Sequence, residues 1–165
     1  MTTRTQKLPR PALWLLAAGI LALALAGCAP AAPTPAGAPP DAPLHTASTS
    51  LGEIVVDGAG MTAYVFDKDT AGAGVSACTG SCVGQWPAIM TDSASPKVEG
   101  ITGEVGTIEL ANGSKQVTLD GLPLYTYAGD SAPGDTNGQG VSNIWWVVDP
   151  SGAKVTQAPE QDRGY

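Results

Sequence analysis

The chain has one histidine, one phenylalanine, and only eight lysines and arginines against fifteen acids in 165 residues. Each scarcity excludes something. His45 is the sole imidazole, so the commonest general base and the commonest metal ligand come down to one side chain. It falls in a Pro/Ala-rich stretch expected to lie outside the folded part, which sets aside Ser–His and Cys–His hydrolysis. The acidic balance, a formal charge of −7, repels phosphate backbones and anionic lipid headgroups, so nucleic acid is not an expected partner. The longest uncharged apolar run, Ala12 to Ala26, falls short of the about 20 residues that a membrane-spanning helix needs. Beyond Leu51 no stretch shows a helical period.

What is present begins at the N-terminus. Arg4, Lys7 and Arg10 precede the apolar run, which ends in Leu25-Ala26-Gly27-Cys28. A positive segment, a short apolar core and small residues before a cut describe a secretion signal. With cysteine next, the pattern reads as a lipobox. Residues 1–27 are the expected signal peptide and Cys28 the expected lipidation site, tethering the chain outside the cytoplasmic membrane. Acyl chains on one cysteine give durable anchoring, because each buried methylene adds about 0.8 kcal/mol. Removal of residues 1–27 takes three cations and no acid, leaving a formal charge of −10. Residues 28–50, with prolines at Pro30, Pro33, Pro35, Pro39, Pro40 and Pro43, read as an extended linker.

Residues 51–155 read as a β domain, and 156–165 as a flexible tail. Ile54-Val55-Val56, Thr62 to Phe66, Thr107 to Leu110, Gln116 to Leu119, Leu122 to Ala128 and Ile144 to Val148 are β-type runs between turn residues. Asn112-Gly113 predicts a hairpin turn of the primed kind. Five consecutive apolar residues at Ile144 to Val148 predict a strand buried on both faces. The expected fold is all-β, a compact sandwich or barrel.

Residues 54–86 resemble 117–146. Val56-Asp57-Gly58 matches Leu119-Asp120-Gly121, Tyr64-x-Phe66-x-x-Asp69 matches Tyr125-x-Tyr127-x-x-Asp130, and Trp86 matches Trp146. Two pseudo-repeats of about 60 residues are expected to pack together, because neither can bury its apolar face alone. In these residues, in Cys78-x-x-x-Cys82 with Trp86-Pro87, and in Gly134-Asp135-Thr136-x-Gly138-Gln139-Gly140, the chain resembles bacterial secreted-repeat lipoproteins named for a Tyr-x-(Phe/Trp/Tyr)-x-x-Asp motif. That resemblance implies an extracytoplasmic repeat of unassigned activity.

Strand alternation puts Tyr64 and Phe66 on one face and Ala63 and Val65 on the other, and does the same for Tyr125 and Tyr127. Asp69 and Asp130 follow where a strand should end, placed to accept hydrogen bonds from turn amides. The alternative is a ligand groove lined by the tyrosines with both aspartates at its mouth. Cys78 and Cys82, an even pair in an oxidising compartment, suggest one disulfide. A redox dithiol, or a copper site with Met61 or Met90, stands beside that reading. Asp130, Asp135 and Asn137 space oxygen ligands as calcium loops do, but the position for a bidentate acid is Trp146.

Three functions follow. The first is a non-enzymatic envelope module that binds a protein, polymer or small ligand without a cofactor. The second is a metal- or electron-handling protein built on Cys78, Cys82 and a methionine. The third is carboxylate catalysis by Asp69 and Asp130, which their equivalent places in two repeats argue against.

Overall fold

Alternation along three strands decides where the two cores lie. In the computed structural model, which describes residues 43–156, Val55, Ala63, Val65 and Val148 join Leu44, Ile89, Val117, Leu119 and Leu124 in an aliphatic cluster. Their neighbours Ile54, Val56, Tyr64, Phe66, Trp145 and Val147 join Cys78, Trp86 and Tyr125 in an aromatic one. Successive side chains in a strand point to opposite faces, so one set of strands serves both clusters.

The strands are β1 (Leu44–Thr49), β2 (Gly52–Asp57), β3 (Tyr64–Phe66), β4 (Met90–Thr91), β5 (Val105–Glu109), β6 (Lys115–Leu119), β7 (Leu122–Pro123) and β8 (Trp145–Val147). One helical turn, α1 (Cys82–Gln85), and a short 3₁₀ segment, Val141–Asn143, complete the order. All the ladders are antiparallel: β1 with β2, β3 with β8, and β6 with each of β4, β5 and β7. The sheets do not close into a barrel. The fold is all-β, as expected, with α1 as its one helical turn among the described residues.

The domain starts earlier than expected. β1 pairs with β2 from Leu44↔Asp57 to Thr49↔Gly52, and Leu44 is fully buried. The proposed linker therefore stops short of Leu44. His45 pairs with Val56 inside the fold, and its Nδ1 is buried without a hydrogen-bond partner. Proline density hid a strand whose own residues, Leu44-His45-Thr46-Ala47-Ser48-Thr49, include no proline. The signal peptide, Cys28 and the tail beyond Thr156 lie outside the described residues.

The primed turn is also displaced. Asn112 has no positive φ. Gly113 does (+82°), and its N–H donates to Leu110 O while Leu110 N–H donates to Ser114 O. That is a three-residue loop ending in a left-handed glycine. The primed geometry belongs to Asp120-Gly121, at φ +48° and +75°, joining the Leu119↔Leu122 pair. Asp120 tolerates this conformation, and its Oδ1 accepts the Glu104 N–H at 2.8 Å.

β8 is shorter than the expected strand, yet both of its faces are covered. Trp145 and Val147 enter the aromatic cluster, while Trp146 packs on the aliphatic one.

Candidate functional site

Tyr64 and Tyr125, the equivalent tyrosines of the two repeats, face each other as an antiparallel bridge. Tyr64 N–H donates to Tyr125 O at 2.8 Å, and Tyr125 N–H returns the bond to Tyr64 O at 3.0 Å. This exchange marks a local pseudo-twofold axis.

The side chains obey the same axis. Tyr64 Oη donates to Asp130 Oδ2 at 2.8 Å, and Tyr125 Oη donates to Asp69 Oδ2 at 2.7 Å. Each tyrosine thus reaches the aspartate of the other repeat. The remaining oxygen of each aspartate closes its own loop: Asp69 Oδ1 accepts Ala77 N–H, and Asp130 Oδ1 accepts Asn137 N–H. Capping of turn amides, expected from the sequence, is half of what each carboxylate does.

Each phenol has a further partner. Gly138 N–H donates to Tyr64 Oη at 3.2 Å, and Ser76 Oγ lies 2.7 Å from Tyr125 Oη. Burial, reinforced by the adjacent carboxylates, pushes both phenols far above the usual tyrosine range. Both remain protonated donors across the physiological range. Asp130, 9 % exposed, is also raised, because burial outweighs its hydrogen bonds from Tyr64 and Asn137.

Between the tyrosines runs a column of rings. Phe66 stacks on Trp145 with centroids 4.1 Å apart, Trp145 on Trp86 at 3.8 Å and 4° between planes, and Trp86 tilts against Tyr127 at 4.4 Å. Tyr64 meets Trp86 edge-on at 5.4 Å, and Tyr125 meets Trp145 edge-on at 5.2 Å. The order Phe66–Trp145–Trp86–Tyr127 is symmetric about the same axis. Trp145, not Trp146, is therefore the spatial counterpart of Trp86.

Sequence matching chose the wrong member of the Trp145-Trp146 pair. A one-residue slip in a strand reverses the face, and Trp145 shares its parity with Val147 in the aromatic cluster. Trp146 lies on the other face, where its Nε1–H donates to Asp67 Oδ2 at 2.9 Å. Asp67 also pairs with Lys154. Desolvation, the largest single influence, raises the Asp67 pKa, but the hydrogen bonds from Lys154 and Trp146 and the Lys154 charge together bring it below the usual value.

Cys78 and Cys82 form a disulfide with Cα atoms 5.3 Å apart. Cys78 is buried in the aromatic cluster, so the bond ties the Gly-rich loop of the first repeat to the core. The two sulfurs are thus bonded to each other rather than presented as thiolates, and Met90 is 44 % exposed. Asp135 Oδ2 accepts the Ser131 and Ala132 amides, so its carboxylate, like that of Asp130, faces chain donors. Among the described residues, no group of three or more His, Cys, Asp or Glu is arranged to hold a metal ion.

An opening reaches Tyr125. A cleft of about 240 Å³ lies between the disulfide-bonded loop and the β5–β6 hairpin. Val75, Val83 and Leu110 form its apolar walls, and Tyr125, Ser76 and Gln116 its polar lining. Val75 and Val83 are 64 % and 48 % exposed, unusual for large aliphatic side chains. Tyr64 is fully buried and is not among the residues lining this cleft, so the two tyrosines do not share it. Nothing in the sequence marked Val75, Val83 or Leu110, because they meet only when the loop folds back over the hairpin.

Among the described residues no helix is long and apolar enough to cross a membrane. Comparison with curated proteins and with solved structures gives no match. A family model described as a secreted repeat of unknown function, Lipoprotein_15, matches twice, at residues 45–90 and 106–149. Those two stretches contain one member each of the Tyr64/Tyr125 pair and of the Trp86/Trp145 pair, and each ends close to its tryptophan. The chain belongs to this family of extracytoplasmic secreted repeats.

Proposed function

We propose that the chain is a non-enzymatic binding module of the bacterial cell envelope, held at the outer face of the membrane by lipid on Cys28. The observation that carries the binding role is the open apolar cleft walled by Val75, Val83 and Leu110. Exposed aliphatic side chains around a recess with a few polar groups are the usual make-up of a recognition site. At about 240 Å³ the cleft is below the about 300–1,000 Å³ of small-molecule sites, which suits a side chain or one end of a larger ligand. The strongly acidic surface favours cationic over anionic partners.

The non-enzymatic part rests on the carboxylates. Asp69 and Asp130 each accept one phenol and one amide, so both are already engaged in matching internal contacts. A glycosidase pair would have to present its acid and its base to a substrate rather than to donors of its own chain.

Ligand-observed NMR of the secreted protein with small apolar fragments tests the cleft. Binding that disappears in Val83→Asp, with the fold retained, supports it; absence of binding, or binding indifferent to Val83→Asp, contradicts it. Metabolic labelling with a fatty acid tests the anchor, with label expected on the wild type and lost in Cys28→Ala.

A further inference from the structure

We propose that the hydrogen-bonded pair Tyr64–Asp130 is a redox-active tyrosine site, reached from the surface through Tyr127 and Trp86, that accepts an oxidising equivalent and holds it as a neutral tyrosyl radical. Three observations meet there. The stacked rings bring Tyr127, which is half-buried, to 4.4 Å from Trp86, and Trp86 to 5.4 Å from Tyr64. The Tyr64 phenol points at a carboxylate oxygen 2.8 Å away. That carboxylate is buried beside it, with no ion-pair partner among the described residues.

The chemistry follows from the acidity of an oxidised phenol. A one-electron oxidant at the surface, an oxidised metal complex or an organic radical, takes one electron from Tyr127 and is itself reduced. The Tyr127 radical cation, its phenolic proton retained, then takes one electron from Trp86 and is restored. The Trp86 radical cation then takes an electron from Tyr64. The Tyr64 Oη–H bond breaks, and its proton passes along the hydrogen bond to Asp130 Oδ2. One positive and one negative charge disappear, leaving neutral Trp86, a neutral tyrosyl radical and protonated Asp130. Loss of two opposite charges is favourable in a buried site, where isolated ions are poorly solvated.

The repeats are unequal in this respect. The other end of the column is Phe66, whose ring is far harder to oxidise than a phenol or an indole. The oxidising equivalent therefore enters at the Tyr127 end. Tyr125 has a carboxylate partner too, but it also shares its hydroxyl with Ser76 and lines the open cleft.

The test is flash oxidation of the full chain by a photo-oxidised ruthenium polypyridyl complex, followed by electron paramagnetic resonance. A tyrosyl signal that vanishes in Tyr64→Phe is expected. Asp130→Asn keeps an oxygen acceptor for Tyr64 but weakens the base, and it should slow radical formation by about a hundredfold, the scale of a positioned proton acceptor. Tyr127→Phe leaves the Tyr64–Asp130 bond intact and should also slow it, which gives a second decision should Asp130→Asn fail to fold. A radical confined to Tyr127 or Trp146, or a Tyr64 radical formed at the same rate in Asp130→Asn and Tyr127→Phe, overturns the proposal.

Discussion

The two repeats hold a tyrosine, a tryptophan, an aspartate and a second aromatic ring in the same relation and close their loops by different means. In the first, a disulfide pins the loop, and Ser76 supplies the second contact to the facing tyrosine. In the second there is no disulfide; Asp135 caps the turn, and Gly138 N–H makes the equivalent contact. The exchange between repeats constrains tyrosine, ring and aspartate together. The loops have only to deliver one amide and one further hydrogen bond, so their sequences can diverge. The loop of the first repeat has diverged toward one wall of the cleft.

The strongest way to break the comparison is to remove a ring from the column. Trp86→Ala and Trp145→Ala occupy equivalent places and should each cost about 3–5 kcal/mol. Trp146→Ala, at the edge of the aliphatic cluster, should cost nearer about 1 kcal/mol. Chemical denaturation measures all three, and a Trp146 loss equal to the others would refute the reassignment of the repeat tryptophan.

Next come the phenols. Tyr64→Phe leaves Asp130 buried without its strongest donor and should cost about 2–3 kcal/mol. Tyr125→Phe should cost about 1 kcal/mol, because half-buried Asp69 keeps access to water. The same denaturation series ranks them.

The disulfide sharpens the difference between the loops. Replacement of Cys78 and Cys82 by serine should cost about 2 kcal/mol on the loop-entropy account. Amide exchange should quicken at Ala77 and stay unchanged at Asn137. Equal quickening at both amides would show that the loops are not independent.

The smallest effects are in pH. Asp130 titrates above the ordinary 3.8 in the folded chain, so the native state binds its proton more tightly than the unfolded state does. Its contribution is present in acid and is lost as pH rises through the raised value; wild type should lose stability relative to Asp130→Asn across that window. Asp67 runs the other way. Its contribution is present above 3.8 and lost as pH falls through its lowered value, and Lys154→Ala should reduce that loss by less than about 1 kcal/mol at this exposed pair.

Much of this arrangement was legible in the residues. Parity alone assigned Tyr64 and Phe66 to one core and Ala63 and Val65 to the other, and cysteine count with compartment suggested the disulfide. What escaped depends on long-range pairing. Which aspartate a tyrosine meets follows from the Tyr64↔Tyr125 bridge, 61 residues apart in the chain, and no local pattern encodes it. The choice between Trp145 and Trp146 turned on a register of one. Leu44 was lost among prolines; its pairing with Asp57, its bridge to Val98 and its place in the aliphatic cluster reveal its role.

A double-mutant cycle on stability tests the exchange between repeats most directly. Tyr64→Phe combined with Asp130→Asn should show a coupling of about 1–2 kcal/mol, while Tyr64→Phe combined with Asp69→Asn, its partner within the repeat, should be additive. Coupling of Tyr64 to Asp69 and not to Asp130 would contradict the account.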